Sequence, residues 1–201
     1  MPVIGITGGI STGKTTFSEC LQEIIPGATF FDADRVAHQL TETDSEVRDL
    51  IRREFGSGVF SGNDDLNRAQ LRSIVFADAE KKRALEQILH PRIRRQWSYE
   101  AQSRRNSADL FFADIPLLYE TSGETLCDSV VVVACSPTLQ LERLIARTGL
   151  TQSEAEQIIH SQMLLTEKIR RADYVVWNNG PHAVLAAQAG LLVKHWQTAA
   201  N

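Results

Sequence analysis

A glycine-rich loop near the start of the chain constrains its fold more than any other feature. The apolar run 3–6 predicts a short buried strand, and the loop after it reads Gly8-Gly9-Ile10-Ser11-Thr12-Gly13-Lys14-Thr15. This segment matches the pattern G-x-x-x-x-G-K-[ST] at every fixed position. Helical spacing then follows through Phe17 and Leu21. A strand, this loop and a helix in that order predict a phosphate-binding P-loop rather than an ordinary glycine-rich turn.

The residue types of the loop suit the phosphates of a nucleotide. Backbone N–H groups of the loop and of the helix N-terminus can surround a phosphate, and the glycines let the backbone approach it closely. Lys14 supplies a mobile cation for the β- and γ-phosphates of ATP. The Thr15 hydroxyl is placed to bind Mg²⁺.

Strands and helices alternate along the 201 residues, a length that suits one α/β domain. Apolar runs at 28–31, 110–114, 130–133 and 174–177 predict further strands, with helical spacing between them. This alternation predicts a three-layer α/β fold of the P-loop NTPase type, similar to nucleoside monophosphate kinases, with a mostly parallel five-stranded sheet.

The domain is expected to have three parts. A helical stretch at about 44–105 interrupts the alternation and predicts an insertion that binds the acceptor, and a lid is expected at about 148–171. The core then comprises 1–43, 106–147 and 172–201.

Local signals set several helix boundaries. Capping boxes of the S/T-x-x-E form at Thr43–Glu46 and Thr151–Glu154 predict two helix starts. Proline is tolerated in the first turn of a helix but not in its interior, so His90-Pro91 predicts the end of one helix and the start of another.

Composition excludes several classes of protein. Lys+Arg 21 against Asp+Glu 25 gives a net charge of −4, which leaves no basic surplus for nucleic acid. The longest apolar stretch, Val130–Cys135, is too short to span a membrane, and the start has no secretory signal. The three cysteines show no paired spacing, which predicts reduced thiols in a cytoplasmic protein.

Among P-loop proteins, a small kinase is favoured. No Asn-Lys-x-Asp motif for guanine occurs, since Asn178-Asn179-Gly180 lacks both the lysine and the aspartate. The dinucleotide fingerprint G-x-G-x-x-G is also missing, and motor ATPases are longer.

An ordered set of short segments runs from Ile4 to about Asn179. It comprises the P-loop, Asp32-Ala33-Asp34 with Ala37-His38, Leu66-Asn67-Arg68, Leu89-His90-Pro91, Asp114-Ile115-Pro116-Leu117-Leu118 with Glu120, Gln140-Leu141-Glu142-Arg143 with Arg147, Gln162-Met163, Lys168, Ala172-Asp173 and Asn178. Over nearly the whole chain these segments resemble the dephospho-CoA kinase family. One departure is Ser11, where the family usually has glycine; if this position needs a positive φ, serine costs about 1 kcal/mol.

The resemblance implies an enzyme that transfers the γ-phosphate of ATP, with Mg²⁺, to the ribose 3′-hydroxyl of dephospho-CoA, giving CoA and ADP. This is the final step of coenzyme A synthesis. It implies no nucleic-acid or membrane partner and a monomer or weak homo-oligomer. The ATP-binding residues that it implies are Gly8, Gly9, Ile10, Ser11, Thr12, Gly13, Lys14, Thr15, Thr16, Arg147 and Asn178.

Two aspartates at strand ends are candidates for chemistry. By resemblance Asp34 accepts a hydrogen bond from the acceptor hydroxyl and aims it at the γ-phosphorus, and the alternative is a helix N-cap. Asp114 ends an apolar strand and is a candidate ligand of Mg²⁺ together with Thr15. Alternatively, Asp114 contacts the acceptor or caps the segment before Pro116.

Basic residues supply the remaining candidates. Arg143 and Arg147 are four apart on a predicted helix; Arg143 is assigned to stabilise the transferring phosphate, and the alternative is a solvated helix face. Lys168 is a weaker candidate, for the lid or the surface. The candidate acceptor-binding residues, besides Asp34 and Asp114, are Arg68, His90 and Arg92, while His90 is alternatively a helix-end cap.

Overall fold

The computed structural model describes residues 3–104 and 110–199. Arg105, the last residue of the predicted insertion, lies outside the described residues. Five strands form one sheet in the order β2-β3-β1-β4-β5. They are β1 (Val3–Gly8), β2 (Thr29–Asp32), β3 (Phe111–Asp114), β4 (Ser129–Ala134) and β5 (Tyr174–Trp177). The predicted three-layer α/β fold with its parallel sheet is confirmed.

Parallel pairing brings the carboxyl ends of the central strands to one edge. Strand β1 pairs with β3 and β4, and β4 pairs with β5, all in parallel. Ile6 lies opposite Asp114, and Gly8 lies opposite Val133. All six residues of β1 are buried, as expected for a strand covered on both faces. The P-loop and the end of β3 therefore share one edge of the sheet.

Nine helices lie within the described residues. They are α1 (Lys14–Ile24), α2 (Ala33–Thr43), α3 (Ser45–Phe55), α4 (Arg68–Ala77), α5 (Ala79–Arg104), α6 (Pro137–Thr148), α7 (Gln152–His160), α8 (Leu165–Arg171) and α9 (His182–Ala199). Short 3-10 turns cover Ser57–Val59 and Gly123–Leu126. None of these helices has both the length and the apolar character that crossing a membrane requires.

The chain divides into two compact units. The first comprises Met1–Phe31 and Glu100–Asn201, and the second comprises Asp32–Tyr99. In the first unit, the core joins β1, β3 and β4 to α1 and α9 through side chains such as Phe17, Phe112 and Trp196. The smaller second core is built on Val47, Ile51 and Val59, with partly buried residues of α4 and α5 packed against it.

Two of the local predictions are wrong and one is confirmed. The interruption expected at Pro91 does not occur, because α5 continues through it. Helix α3 is capped by Asp44, whose Oδ1 accepts from Val47 N at 3.0 Å, rather than by Thr43. The second capping box is present, since Thr151 and Glu154 bind each other's backbone N–H groups at the start of α7.

Candidate active site

The P-loop connects the end of β1 to the start of α1 through a tight backbone path. Ser11 has φ 59° and Gly13 has φ 93°, both in the left-handed region. A Cβ atom at position 13 would collide with the side-chain nitrogen of Asn178, so glycine is required there for space as well as conformation. The Ser11 Oγ atom is buried and has no hydrogen-bond partner among the described residues.

Three amide side chains hold this loop from outside. Asn178 Nδ2 donates to the Thr12 carbonyl at 2.9 Å, and Gln140 Nε2 donates to the Ile10 carbonyl at 2.9 Å. The Ile10 N–H donates to Gln162 Oε1 at 3.1 Å. These bonds position the loop backbone through residues of α6, the α7–α8 connection and the end of β5. Asn178 thus lies against the loop, with its amide nitrogen bound to loop backbone.

An ion pair lies where α1 meets the neighbouring strand. The Lys14 ammonium contacts Asp114 Oδ1, and Ser18 Oγ donates to Asp114 Oδ2 at 2.8 Å. The exposed fractions of the two charged side chains are 15% and 11%. The structure thus brings together two predicted site residues from distant parts of the sequence. Thr15, beside Lys14 in the first turn of α1, is exposed, and Thr16 is half-buried.

Helix α6 carries both predicted arginines. Arg143 is half-buried, and its Nη1 atom is buried without a partner in the described part of the chain. Burial raises the pKa of the Cys135 thiol, while the adjacent Arg143 guanidinium, which shares a hydrogen bond with it, lowers that pKa. Arg147 lies one turn further along α6 and is exposed.

Lys168 is a site neighbour that the sequence reasoning underestimated. It is fully buried on α8, and its Nζ donates to the carbonyls of Gly8 and Pro116 at 3.2 and 2.9 Å. It also forms an ion pair with Glu120 Oε1 at 2.9 Å. No local signal marks this burial, since Leu164, one turn before Lys168, is itself exposed.

Asp34 does not cap the helix that it begins. The N-cap of α2 is Asp32, whose extended backbone has φ −112° and whose Oδ1 accepts from Arg35 N at 2.9 Å. Asp34 lies inside the first turn of α2 and is exposed. The capping alternative for Asp34 is therefore wrong.

Of the candidate acceptor-binding residues, Asp114 lies in the first unit, and Asp34, Arg68, His90 and Arg92 lie in the second. Arg68 Nη2 donates to Glu42 Oε1 at 2.8 Å and to Thr41 Oγ1 at 3.1 Å. Arg92 pairs with Glu46 Oε1 at 2.9 Å.

His90 lies within α5, so its interpretation as a helix-end cap is wrong. Burial lowers the pKa of His90, and Glu86 opposes that shift.

The described residues offer no cluster of three or more His, Cys, Asp or Glu side chains suited to a metal. The side chains near the P-loop still fit Mg²⁺, because that ion usually takes one or two protein ligands and completes its shell with phosphate oxygens and water. The Thr15 hydroxyl and the Asp114 carboxylate are the residues that fit, one exposed at the start of α1 and the other at the end of β3.

Comparison with known proteins identifies relatives along nearly the full chain. The family described as dephospho-CoA kinase matches residues 2–183. A dephospho-CoA kinase of Bacillus licheniformis is 40% identical over 195 residues, 96% of either chain. One from Symbiobacterium thermophilum is 45% identical over 181 residues, 90% of this chain and 75% of that protein.

Solved structures give the same result. The dephospho-CoA kinase from Campylobacter jejuni matches with a TM-score of 0.74 and 26% identity, covering 98% of each chain. A shikimate kinase from Acinetobacter baumannii matches with a TM-score of 0.56 at 16% identity, covering 98% of this chain and 94% of that one. This second likeness shows a shared fold.

Proposed function

The chain belongs to the dephospho-CoA kinase family, and we propose on that basis that it transfers the γ-phosphate of ATP to the ribose 3′-hydroxyl of dephospho-CoA. The observation that carries this proposal is the family match over residues 2–183, joined to a complete P-loop whose Lys14 contacts the acid at the end of β3. The products are CoA and ADP.

The P-loop side of the reaction rests on the first unit. Backbone N–H groups of the loop and the N-terminus of α1 bind the phosphates of ATP. The Lys14 ammonium, 15% exposed, meets the β- and γ-phosphates, and Thr15 with Asp114 would hold Mg²⁺. When bound, this ion neutralises phosphate charge. Arg143 stabilises the transferring group, and Arg147 and Asn178 belong to the ATP site.

The acceptor side of the reaction rests on Asp34. Its carboxylate accepts a hydrogen bond from the 3′-hydroxyl and orients that oxygen for in-line attack. The new bond joins the acceptor oxygen to the γ-phosphorus, the bond from this phosphorus to the oxygen bridging to the β-phosphate breaks, and ADP leaves. The hydroxyl proton departs late, because the transition state is loose, so an ordinary aspartate suffices. Arg68, His90 and Arg92 bind the acceptor and lie within a helical insertion at about 44–105. The lid is formed by residues 148–171.

We further propose that the enzyme acts in the cytoplasm as a monomer or weak homo-oligomer, with small molecules as its substrates. All three cysteines are unpaired, which supports a reducing compartment.

Release of ADP from ATP, measured with a panel of acceptor alcohols, tests the function. We expect rapid ADP release with dephospho-CoA and little with shikimate, gluconate or nucleosides, and the product should be CoA, with the new phosphate on the ribose 3′ oxygen. Equal rates without any acceptor would mean that the protein hydrolyses ATP, and preference for another alcohol would assign a different kinase.

A further inference from the structure

The buried ammonium of Lys168 has no part in the proposed transfer step, yet it lies against the P-loop. Its Nζ contacts three acceptors, namely the Gly8 carbonyl at 3.2 Å, the Pro116 carbonyl at 2.9 Å and Glu120 Oε1 at 2.9 Å. An ammonium has three N–H donors. Its hydrogen-bonding capacity is therefore used by the protein itself, and none is left for a phosphate.

The carbonyls that Lys168 binds belong to two functional segments. Gly8 is the last residue of β1 and the first of the P-loop, and Pro116 follows Asp114 by two positions. Thr7 Oγ1 also donates to the Pro116 carbonyl, at 2.9 Å. Lys168 thus joins the start of the P-loop to the segment that carries the partner of Lys14.

Glu120 completes this arrangement. Its Oε1 accepts from Lys168 and from Met163 N, the latter at 3.0 Å. Burial lowers the pKa of Lys168, and the charge and hydrogen bond of Glu120 raise it. Well-packed apolar residues commonly replace a buried ion pair without loss of stability. The three contacts of this buried cation therefore suit a geometric role.

We propose that Lys168 is a positioning residue for ATP binding: its ammonium holds the Gly8 carbonyl and the Pro116 segment in the arrangement that receives the phosphates. The inference rests on the proposed function for the identity of the nucleotide. Loss of these bonds should shift the backbone that receives the phosphates and weaken ATP binding. The proposed acceptor residues Arg68, His90 and Arg92 belong to the other unit.

Lys168→Met tests this, because methionine has a similar length and no donors. We expect its Kd for ATP, measured by calorimetry without acceptor, to rise about tenfold or more, while the KM for dephospho-CoA stays within about twofold of wild type. The matched control is Lys194→Met, the same change at an exposed lysine of α9, which should keep wild-type values.

The double variant Lys168→Met with Glu120→Gln separates positioning from stability. Glutamine keeps an acceptor for Met163 N but removes the unpaired charge, so the melting temperature should recover while ATP binding stays weak. The double variant also carries the test if the single variant does not fold. Wild-type ATP affinity in either folded variant would overturn the positioning role. Because this comparison uses ATP alone, its result is independent of whether dephospho-CoA is the acceptor.

Discussion

The Lys14 ammonium and the Asp114 carboxylate form an ion pair across 100 residues of sequence. The parallel register explains the contact. Asp114 lies opposite Ile6, and β1, which leads into the P-loop, ends two residues later at Gly8. Ser18 Oγ, one turn after Lys14 on α1, binds the second carboxylate oxygen at 2.8 Å. The strand end and the P-loop helix are therefore coupled through one mostly buried carboxylate.

A double-mutant cycle should detect this coupling in solution. Lys14→Met and Asp114→Asn each remove one partner of a largely desolvated pair, and the two together remove both charges. We expect a coupling energy of about 1–3 kcal/mol in the free energy of unfolding, measured by urea denaturation of the four proteins. A coupling energy near zero would mean that the ion pair does not persist in solution.

Asp34→Ala should separate catalysis from folding. The variant should retain ATP affinity, since Asp34 is not part of the P-loop, and lose kcat by several orders of magnitude because the acceptor hydroxyl is no longer oriented. Its melting temperature, compared with that of the wild type, checks that the variant is folded. Near-normal kcat would remove Asp34 from the mechanism.

Asp32→Ala is the informative control for stability. It removes the N-cap of α2, in which Asp32 Oδ1 accepts from Arg35 N, and should cost about 1 kcal/mol in the free energy of unfolding. A loss near zero for Asp32→Ala would mean that the assignment of the cap to Asp32 is wrong.

Features set by local pattern could be predicted from the sequence. The P-loop, its flanking strand and helix, and the acid at the end of β3 follow from short-range spacing. The cap of α2 could not be assigned in this way, because Asp32 and Asp34 both precede the helical pattern and only the extended backbone of Asp32 distinguishes them. The rule that proline ends a helix was also overridden at Pro91, because α5 continues through it. Leu89, before the proline, is partly buried, and Trp97, after it, is buried.

Long-range contacts account for the rest. Lys168 was expected in the lid or at the surface. Its partners Gly8 and Pro116 lie 160 and 52 residues away. Neither separation leaves a trace in local spacing, and burial of a lysine runs against the usual preference of that side chain.

Ser11→Gly should be neutral or mildly stabilising. The backbone at Ser11 has φ 59°, which costs a non-glycine residue about 1 kcal/mol, and the buried Oγ without a partner among the described residues adds a desolvation penalty. The greater freedom of glycine in the unfolded chain offsets part of this gain. Urea denaturation measures the balance, and calorimetry should give an unchanged Kd for ATP. A large loss of ATP affinity would contradict this account of the loop.

His90→Gln should reduce the dependence of stability on pH. Burial lowers the pKa of His90 from 6.5, with Glu86 opposing, so at about pH 8 the imidazole is uncharged in both the folded and the unfolded chain. As the pH falls through 6.5, the unfolded chain binds a proton that the folded chain does not, and stability is lost until the lower folded pKa is reached. Glutamine has no such titration. Urea denaturation at about pH 8 and about pH 5 should therefore show a larger loss for wild type than for the variant. Parallel losses would mean that His90 is as easily protonated in the folded protein as in the unfolded chain.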